Sequence, residues 1–418
     1  MRPPMKPLKP LDEALAELLA HAAVLPGTDT VTTFDADGRV LAQDCISALQ
    51  VPPNDNSSMD GYAVRSAEVA QVGTVLPVSQ RIPAGQVGTA LQVGTVARIF
   101  TGAPLPPGAD AIVMQEDCTV LDDGRVRFDA VPQPGQFVRR AGQDIALGST
   151  ALQAGLRLTP AALGLAASLG LAQLPVARRP RVALFSTGDE LALPGSIAPQ
   201  DLPPGHIFNS NRYVLASLLQ RWGCEVVDGG ILPDDRVATH AALAQAAQDC
   251  DLLVTSAGVS VGEEDHVRPV VEQLGALSLW KIAMKPGKPF AFGHVRRSSE
   301  GKTAGQAHFI GLPGNPVSSL ITALVLLRPF VLALQGASVV QPPAHWLTAD
   351  FEITQRDSRR EFLRARRNAA GQLELFANQN SGVLTSTVWA EGLVDNPAQT
   401  LIARGDSVRF LPFSELLT

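Results

Sequence analysis

The stretch that decides the fold runs from Arg181 to Leu193 and reads RVALFSTGDELAL. A run of apolar residues is followed at once by small and acidic residues, which is the pattern of a buried strand that ends in a polar loop. The same order recurs downstream, where strand-like and helix-like segments alternate as far as Leu334. This alternation predicts a doubly wound α/β domain with a mostly parallel sheet. Its predicted strands are VALF, EVVDGGIL, DLLVT, LWKIAM, PFAFG and HFIG, and its predicted helices cover residues 212–222, 237–248, 266–274 and 316–334.

The segments on either side of this domain show other patterns. Residues 11–24 carry apolar side chains at helical spacing, residues 30–45 have the pattern of a hairpin with its turn at 35–38, and residues 160–169 that of a helix. Short alternating segments between Gly and Asp turns predict an all-β insertion, and residues 175–180 resemble a linker. The predicted domains are a discontinuous mixed α/β region (1–53 and 142–176), the β-rich insertion (54–141), the central α/β domain (177–336) and a C-terminal β-barrel-like domain (337–418).

The composition argues against several classes of protein. The 418 residues include 34 Lys and Arg against 40 Asp and Glu, and a net charge of −6 disfavours a nucleic-acid partner, which needs clustered cations. The start of the chain lacks the apolar core of a secretory signal, and the apolar run from Leu320 to Leu334 is interrupted by Arg328 and Pro329. The four cysteines form no CxxC pair. We therefore expect a cytoplasmic protein with no nucleic-acid or membrane partner, no disulfide framework and no zinc site.

Three loops at the predicted carboxyl ends of strands are candidate ligand-binding segments, because ligands of open α/β sheets bind there. They are residues 186–190 (STGDE), 255–262 (TSAGVSVG) and 312–318 (LPGNPVS). Loops of Gly, Ser and Thr at helix starts direct backbone N–H groups at a phosphate or another oxyanion. Asn315 is a candidate N-cap, and Pro316 a candidate first helical residue. Each loop alone is equally consistent with a tight turn, but their position on one sheet edge favours a ligand site.

The lysines are concentrated in one segment. The chain has six lysines, and Lys281, Lys285 and Lys288 fall within WKIAMKPGKPF. In an extended segment Lys281 and Lys285 share one face, and the Pro-Gly turn lets Lys288 approach Lys285. A compact ammonium group suits an oxyanion, so this segment is a candidate anion site; a solvated strand edge guarded by lysine is the alternative.

Carboxylates recur in or near turns at Asp60, Asp144, Glu190, Asp234 and Asp265. Mg²⁺ is held by a few such groups together with substrate phosphates and waters. Asp-Gly is also a common turn dipeptide, and the residue after Asp234 is a candidate helix cap, so turns and caps are the alternative. The chain has no HExxH, GxSxG, GxGxxG or GxxxxGK[ST] motif, which argues against a serine nucleophile, a hydride enzyme and a P-loop NTPase.

Six motifs follow one another along the chain: NSSMDGYA (56–63), FTGAP (100–104), RAGQD (140–144), STGDEL (186–191), KPGKP (285–289) and GLPGNP (311–316). Read together, they resemble the molybdopterin molybdenumtransferase family, which includes bacterial MoeA and the E-domain of gephyrin. The resemblance runs from about residue 10 to the C-terminus.

The resemblance implies an elongated cytoplasmic homodimer of four-domain subunits. Such an enzyme binds adenylylated molybdopterin, inserts molybdate as its second substrate and releases AMP, with a divalent cation such as Mg²⁺. This is the final step of molybdenum cofactor biosynthesis, so other proteins of that pathway and apo-molybdoenzymes are implied partners. The implied cleft lies between the β-rich insertion of one subunit and the α/β and C-terminal domains of the other.

The resemblance also implies roles for individual residues. Asp60, Thr101 and Asp144 of one subunit would act in catalysis with Glu190, Asp234 and Asp265 of the other, and Asp60, Glu190, Asp234 and Asp265 would also hold the metal. The pterin nucleotide would contact Thr187, Gly188, Ser256, Gly258, Ser260, Gly262, Pro313, Gly314, Asn315 and Pro316. Molybdate would contact Lys281, Lys285, Lys288, Ser318, Arg360 and Ser381.

Two positions depart from the pattern of the family. Ala257 stands where the first of two glycines is usual, and alanine resists a positive φ. His266 stands where an aromatic residue is common.

Two other functions are compatible with parts of the chain. A molybdopterin adenylyltransferase shares the α/β domain type, but it generally lacks the flanking β domains, so the length argues against it. A scaffold of the gephyrin E-domain type binds receptor peptides, but that role usually accompanies a long linker, and this chain has no long disordered tail.

Overall fold

The computed structural model describes residues 8–258, 266–297 and 305–417. These residues form two compact units. The first comprises Met1–Gln43, Ala154–Thr159 and Leu174–Thr418, and the second comprises Asp44–Gln153 and Pro160–Gln173. The predicted boundaries of four domains stay a prediction.

The N-terminal part of the chain is rich in short strands, as its turn-rich sequence predicts. Its elements are α1 (Leu11–Ala20), β1 (Thr28–Thr32), β2 (Cys45–Ile46), β3 (Asn56–Ser57), β4 (Gly61–Val64), β5 (Val75–Ile82), β6 (Val96–Ile99), β7 (Ala111–Met114), β8 (Cys118–Val120), β9 (Arg125–Phe128), β10 (Val138–Arg139), β11 (Thr150–Leu152), α2 (Pro160–Ser168) and β12 (Gln173–Ala177).

The second unit is built around a six-stranded sheet in the order β7-β4-β6-β5-β9-β8. Every residue of β4 is buried, because both faces of the sheet are covered. Tyr62 and Val64 join one apolar cluster with Phe128, whereas Ala63 joins a second cluster with Ile99. The short alternating segments from which the β-rich insertion was predicted include β6, β7 and β9.

The predicted hairpin over residues 30–45 is wrong. β1 pairs with β12, and β2 pairs with β11. Residues 33–35 form a 3-10 turn, in which the Thr32 hydroxyl accepts a hydrogen bond from the Asp35 N–H (3.2 Å). The primed turns of tight hairpins need a positive φ at the first or at both central residues, and neither Ala36 nor Asp37 has one. The predicted linker at 175–180 is also wrong in part, since β12 includes its first residues.

The central α/β part follows the predicted alternation closely. Its elements are β13 (Arg181–Thr187), β14 (Leu191–Ala192), β15 (Ile207–Phe208), α3 (Asn211–Arg221), β16 (Glu225–Leu232), α4 (Arg236–Asp249), β17 (Leu252–Ser256), α5 (Val267–Leu274), β18 (Gly275–Lys281), β19 (Met284–Lys285), β20 (Pro289–Arg296), β21 (Gln306–Leu312), α6 (Pro316–Thr322) and α7 (Arg328–Leu334).

Six of these strands form one sheet in the order β16-β13-β17-β21-β20-β18. The four strands from β16 to β21 are parallel, and β20 and β18 continue the sheet in antiparallel pairing. Side chains of β13 alternate between two cores. Val182 and Leu184 face a core that includes residues of α1, α3 and α7, and Ala183 and Phe185 face one that includes residues of α4 and α5. Helices on both faces make this the predicted doubly wound domain.

One helical segment, Pro316–Leu334, is long and apolar enough by length and composition to cross a membrane. Its apolar window is 89% buried inside the protein, as expected of the central helix of an α/β core. A π-helical turn, Ala323–Leu327, joins α6 to α7. This turn accommodates Pro329, which lacks a backbone N–H group. Arg328 is buried, donates hydrogen bonds to the carbonyls of Val340 and Glu415 (3.0 Å each), and has a pKa lowered by burial to about 10.

The C-terminal part forms a six-stranded sheet in which β19 lies at one edge. The remaining elements are β22 (His345–Thr348), β23 (Arg360–Arg367), β24 (Leu373–Leu375), α8 (Thr385–Trp389), β25 (Gly392–Asn396), β26 (Ser407–Pro412) and α9 (Phe413–Leu416). The strand order is β19-β23-β25-β26-β22, with β24 paired to β23. A core that includes Phe351, Leu363, Val394 and Phe410 fills one face of this sheet.

Candidate functional site

A cavity of about 510 Å³ lies at the carboxyl ends of the parallel strands of the first unit. β13, β17 and β21 end at Thr187, Ser256 and Leu312, and because these strands are parallel, the loops that follow them meet at one edge of the sheet. The structure therefore brings together most of the predicted nucleotide-binding residues. Those that line the cavity are Thr187, Ser256, Gly258, Pro313, Gly314, Asn315 and Pro316. The predicted metal ligand Glu190 and the predicted molybdate ligand Ser318 line it as well.

The glycines of these loops are required by close approaches. Gly188 has φ +125°, and a Cβ at this position would collide with the carboxylate of Glu190. Gly258 has φ +74°, and a Cβ there would lie 2.8 Å from a methyl group of Val267. Glycine at these two positions therefore allows the loops to pack closely against Glu190 and Val267. Ser260 and Gly262 lie outside the described residues.

Ala257 has a positive φ of 72° despite its side chain. Its N–H donates to the carbonyl of Leu312 (3.0 Å), and its carbonyl accepts from the Thr255 hydroxyl (3.1 Å). These two hydrogen bonds hold the backbone in a conformation that glycine would adopt without strain. Ala257 therefore departs from the family pattern in its side chain but keeps the backbone conformation of a glycine.

Asn315 and Asp235 differ as helix caps. Asn315 occupies the N-cap position of α6 and Pro316 is its first residue, as predicted, although the Asn315 side chain makes no capping hydrogen bond. Its amide is left at the cavity wall. Asp235 does cap α4, since its Oδ1 accepts from the N–H of Ala238 (2.6 Å).

Two asparagines of the cavity were missed by the sequence analysis. Asn209 is buried, and its Oδ1 accepts from the N–H of Arg212 (3.2 Å). Its Nδ2 has no hydrogen-bond partner among the residues that the structure describes. Asn211 donates from Nδ2 to the carbonyl of Gly314 (2.7 Å) and joins two walls of the cavity. The signal was the sequence FNSN at the start of a predicted helix, where Asn and Ser are typical caps.

One predicted carboxylate lines the cavity, namely Glu190. Asp234 lies beside Asp189, because its N–H donates to Asp189 Oδ1 (3.3 Å), but it is not part of the lining. Asp265 lies outside the described residues. Over residues 8–258, 266–297 and 305–417, no three His, Cys, Asp or Glu side chains form a group that could hold a metal.

The lysine segment has the predicted alternation, with Ile282 and Met284 buried and Lys281 and Lys285 exposed. None of the three predicted lysines lines the cavity. Lys285 Nζ donates to Glu361 Oε1 (2.9 Å) and to Asp357 Oδ2 (3.2 Å), and these carboxylates raise its pKa, Glu361 most. Lys285 is therefore already neutralised by two carboxylates of the chain.

Arg360 is engaged elsewhere in the first unit. It donates to both carboxylate oxygens of Asp395 (2.5 and 2.6 Å) and to Asp12 (2.8 Å), and it lines a separate cavity of about 980 Å³. Ser381 lies at the start of α6, where its carbonyl accepts from the N–H of Val317 (3.0 Å). Ser381 therefore contacts Val317, whose chain neighbours Pro316 and Ser318 line the α/β cavity. Arg360 has no such contact among its hydrogen bonds in the described structure.

Arg364 is a stronger anion candidate than Arg360, and the sequence analysis missed it. It is only 1% exposed, and it donates to Ser386 Oγ (3.2 Å) and to the carbonyls of Phe362 (3.2 Å) and Asn380 (3.4 Å). In the described part of the chain no carboxylate pairs with it, and burial lowers its pKa to about 10. A buried guanidinium without a counterion beside the loop of Ser381 suits an oxyanion.

The second unit brings together Asp60 and Thr101. The Thr101 N–H and hydroxyl both donate to Asp60 Oδ1, at 2.8 and 2.7 Å. These hydrogen bonds lower the pKa of the Asp60 carboxyl, which is therefore ionised at neutral pH. Asp144 is exposed, and its N–H donates to the carbonyl of Val51 (2.9 Å). The structure describes no hydrogen bond from the Asp144 side chain to either residue.

Comparison with known families matches three successive regions of the chain. Residues 9–170 match the MoeA N-terminal region (domains I and II), residues 183–333 match a probable molybdopterin binding domain, and residues 347–413 match the MoeA C-terminal region (domain IV).

Individual proteins match over almost the whole chain. A molybdopterin molybdenumtransferase of Haemophilus influenzae is 36% identical over 97% of this chain and 99% of its own length. Molybdopterin molybdenumtransferase 2 of Mycobacterium tuberculosis is 38% identical over 91% and 94%. The crystal structure of a molybdopterin biosynthesis MoeA protein from Pyrococcus horikoshii is 25% identical, covers 97% of this chain and all of its own, and superposes with a TM-score of 0.82. The predicted fold class is thereby confirmed. The chain belongs to the molybdopterin molybdenumtransferase family, as its six motifs indicate.

Proposed function

We propose that this chain is an enzyme that inserts molybdate into adenylylated molybdopterin and releases AMP. The relatives named as molybdopterin molybdenumtransferases support the reaction. The observation that carries the proposal is the convergence of three predicted loops on one cavity, with the unpaired amide of Asn209 in its wall. An unsatisfied buried donor is expected where a ligand supplies the acceptor.

The loops of the cavity bind and orient the nucleotide. Gly258 and Gly314 line the cavity without side chains, so phosphate oxygens can approach the backbone N–H groups there closely. Asn211 fixes one loop against another through Gly314. A reaction of this kind gains chiefly from positioning and from charge placed in advance, which rigid loops supply.

Molybdate, as the second substrate, is proposed to bind near Ser318 and Ser381, with Arg364 as the fixed positive charge. Lys281, Lys285 and Lys288 stay candidate ligands. For Lys285 to take part, its ammonium group must exchange at least one hydrogen bond with Glu361 or Asp357 for one with the oxyanion. The two carboxylates then act as positioning groups for the lysine.

A divalent cation such as Mg²⁺ fits the donor chemistry of the cavity in part. Mg²⁺ needs only one or two carboxylates when substrate phosphates and waters complete its shell. Glu190, which lines the cavity, is the residue that would hold it, and the carboxylates of Asp60, Asp234 and Asp265 stay proposed ligands. When bound, the cation would neutralise charge on the phosphoanhydride.

We further propose that the active form is a cytoplasmic homodimer. In it, Asp60, Thr101 and Asp144 of one copy would complete the cavity of the other copy, and an ionised Asp60 would orient water or metal there. Other proteins of cofactor biosynthesis and apo-molybdoenzymes are the proposed partners that deliver the pterin and accept the product.

The test is AMP release from adenylylated molybdopterin, with Mg²⁺ present and molybdate titrated. The expected result is release that saturates with molybdate and yields a cofactor able to activate an apo-molybdoenzyme. Glu190→Gln is expected to lower the rate about 10²–10³-fold, as removal of one electrostatic contact typically does. Glu225→Gln, which changes an exposed glutamate paired with Arg181, is the control and should leave the rate within twofold. A folded chain that releases no AMP at any molybdate concentration would refute the proposal.

A further inference from the structure

The second unit carries two arginines stacked on one aromatic ring. The guanidinium carbons of Arg81 and Arg98 lie 4.5 and 4.7 Å from the ring centroid of Phe100. Arg98 also lies over Tyr62, 5.2 Å from that ring centroid. We call Arg81, Arg98 and Phe100 the arginine platform.

The strand register forces these two positive charges together. β5 and β6 are parallel neighbours in which Arg81 and Arg98 are direct partners, so both side chains project from the same face. Like charges opposite one another on adjacent strands destabilise a sheet. A pair of this kind is therefore expected to have a ligand or a counterion.

In the described part of the chain the nearby negative charge is Asp60, whose pKa Arg98 helps to lower without forming an ion pair with it. Neither guanidinium forms an ion pair there, although other arginines of the same sheet do: Arg125 pairs with Asp123 (2.7 Å), and Arg127 with Asp129 (3.1 Å). Arg98 donates instead to two neutral oxygens, the carbonyl of Gly61 (3.1 Å) and Oε1 of Gln115 (2.5 Å). Gln115 separates Arg98 from Glu116, whose carboxylate accepts from the Gln115 amide (3.2 Å). The platform thus keeps its positive charge.

The platform adjoins the Asp60–Thr101 pair on both sides. Arg98 binds the carbonyl of Gly61, the residue after Asp60, and stacks on Phe100, the residue before Thr101. Gly61 is bonded to Asp60, and Phe100 is bonded to Thr101. The guanidinium groups and the ionised Asp60 are therefore held at the same end of β4 and β6. A ligand on the platform would therefore lie beside the Asp60 carboxylate.

We propose that the arginine platform is a binding subsite for a phosphate group or a comparable tetrahedral oxyanion. Stacked guanidinium groups keep their N–H donors at the ring edge, and this planar fork matches the oxygens of a phosphate. The identity of the ligand as the phosphate of the pterin nucleotide or of AMP rests on the proposed function; the anion subsite itself does not. Neither residue belongs to the six motifs.

The first experiment reads the two arginines directly in the full-length chain. Phenylglyoxal modifies guanidinium groups, and peptide mass spectrometry gives the modification rate of each one. AMP, inorganic phosphate and molybdate are added separately. The expected result is saturable protection of Arg81 and Arg98. Protection by AMP at lower concentration than by phosphate assigns the subsite to the nucleotide, and stronger protection by molybdate assigns it to the metal oxyanion. Unchanged rates with all three anions at about 10 mM, a concentration that would mostly fill even a site with a Kd of about 1 mM, overturn the proposal.

The second experiment tests whether the two arginines act together. In Arg98→Gln, the anion concentration that gives half-maximal protection of Arg81 should rise by about tenfold or more, because one charge-assisted contact is lost. If that variant misfolds, Arg81→Gln provides the reverse measurement on Arg98, since Arg81 is exposed. Arg125→Gln removes the same charge from the same sheet and should change nothing. Equal weakening by Arg125→Gln would show a general effect of charge and refute the subsite. The protection experiment requires no catalytic turnover. Failure of AMP release would therefore not contradict the anion subsite, and failure of protection would not contradict the proposed enzyme activity.

Discussion

Ala257 offers a direct test of the backbone geometry at the candidate site. With φ at 72°, this alanine adopts a left-handed conformation that is unfavourable for L-residues by about 1–2 kcal/mol. Replacement by glycine removes that strain but increases the conformational entropy lost on folding by about 0.5–1 kcal/mol. The difference predicts that Ala257→Gly stabilises the folded protein by about 0.5–1 kcal/mol.

Differential scanning calorimetry provides the measurement. A change of about 1 kcal/mol shifts Tm by roughly 2–4 °C in a domain of 150–250 residues, and by about 1–2 °C in a unit as large as this one. The matched control is Ala183→Gly, the same replacement at a buried position of β13 with an ordinary strand φ. The control should lower Tm, because glycine weakens a strand and removes a packed methyl group.

The sign of the Tm shift decides the argument. If Ala257→Gly lowers Tm as Ala183→Gly does, the backbone at residue 257 is not held in the left-handed region. The account of the loop as a glycine-like turn fixed by Leu312 and Thr255 would then be wrong.

Three further predictions concern single side chains. Asn209→Ser keeps an oxygen that can accept from the Arg212 N–H but removes the unpaired Nδ2. The affinity for AMP, measured by calorimetry, should fall about tenfold with Tm nearly unchanged. Unchanged affinity would contradict a role of Asn209 in binding the nucleotide. Lys285→Ala leaves the buried Glu361 without its cation and should lower the free energy of unfolding, measured by urea titration, by about 1–3 kcal/mol. The double variant Lys285→Ala/Glu361→Gln should recover part of this stability. Equal loss in the single and the double variant would contradict the pairing. Burial lowers the pKa of His308 to about 4, so the unfolded chain, with a His pKa near 6.5, gains protons first and stability falls as pH decreases from about 6.5 to 4. His308→Phe keeps an aromatic ring beside Phe330 and should flatten this dependence in thermal melts between pH 7 and 4; an unchanged slope would assign the dependence to other groups.

Much of the α/β core was predictable because it depends on local patterns. The apolar runs that become β13, β17 and β21 are short, flanked by loop residues and separated by helical periodicity, so their order and the edge where their loops meet follow from general rules. Parallel strands with loops at one edge require no knowledge of distant contacts. The loops that line the α/β cavity were predicted for this reason.

The errors share one cause, namely competition from segments distant in the sequence. The hairpin pattern over 30–45 was reasonable locally, but β12 and β11 provided partners for its two halves. The assignment of Arg360 to molybdate rests on the resemblance and stays a prediction; nothing in the sequence indicated that Asp395, 35 residues later, binds its guanidinium group. Arg364 lies in β23, whose residues 361–365 are all buried, and no alternation in the sequence distinguished it from its neighbours.

The amino-acid sequence by itself determined the family, the doubly wound core and the loops that line the α/β cavity, because periodicity and turn residues act over a few neighbouring positions. Only the tertiary structure decided which charges are neutralised and which stay unpaired. Lys285 is held by Glu361 and Asp357, more than 70 residues away, while Arg81 and Arg98 are brought together by strand register. Such pairings depend on packing between remote segments, which sets the distance and burial on which electrostatic free energy depends.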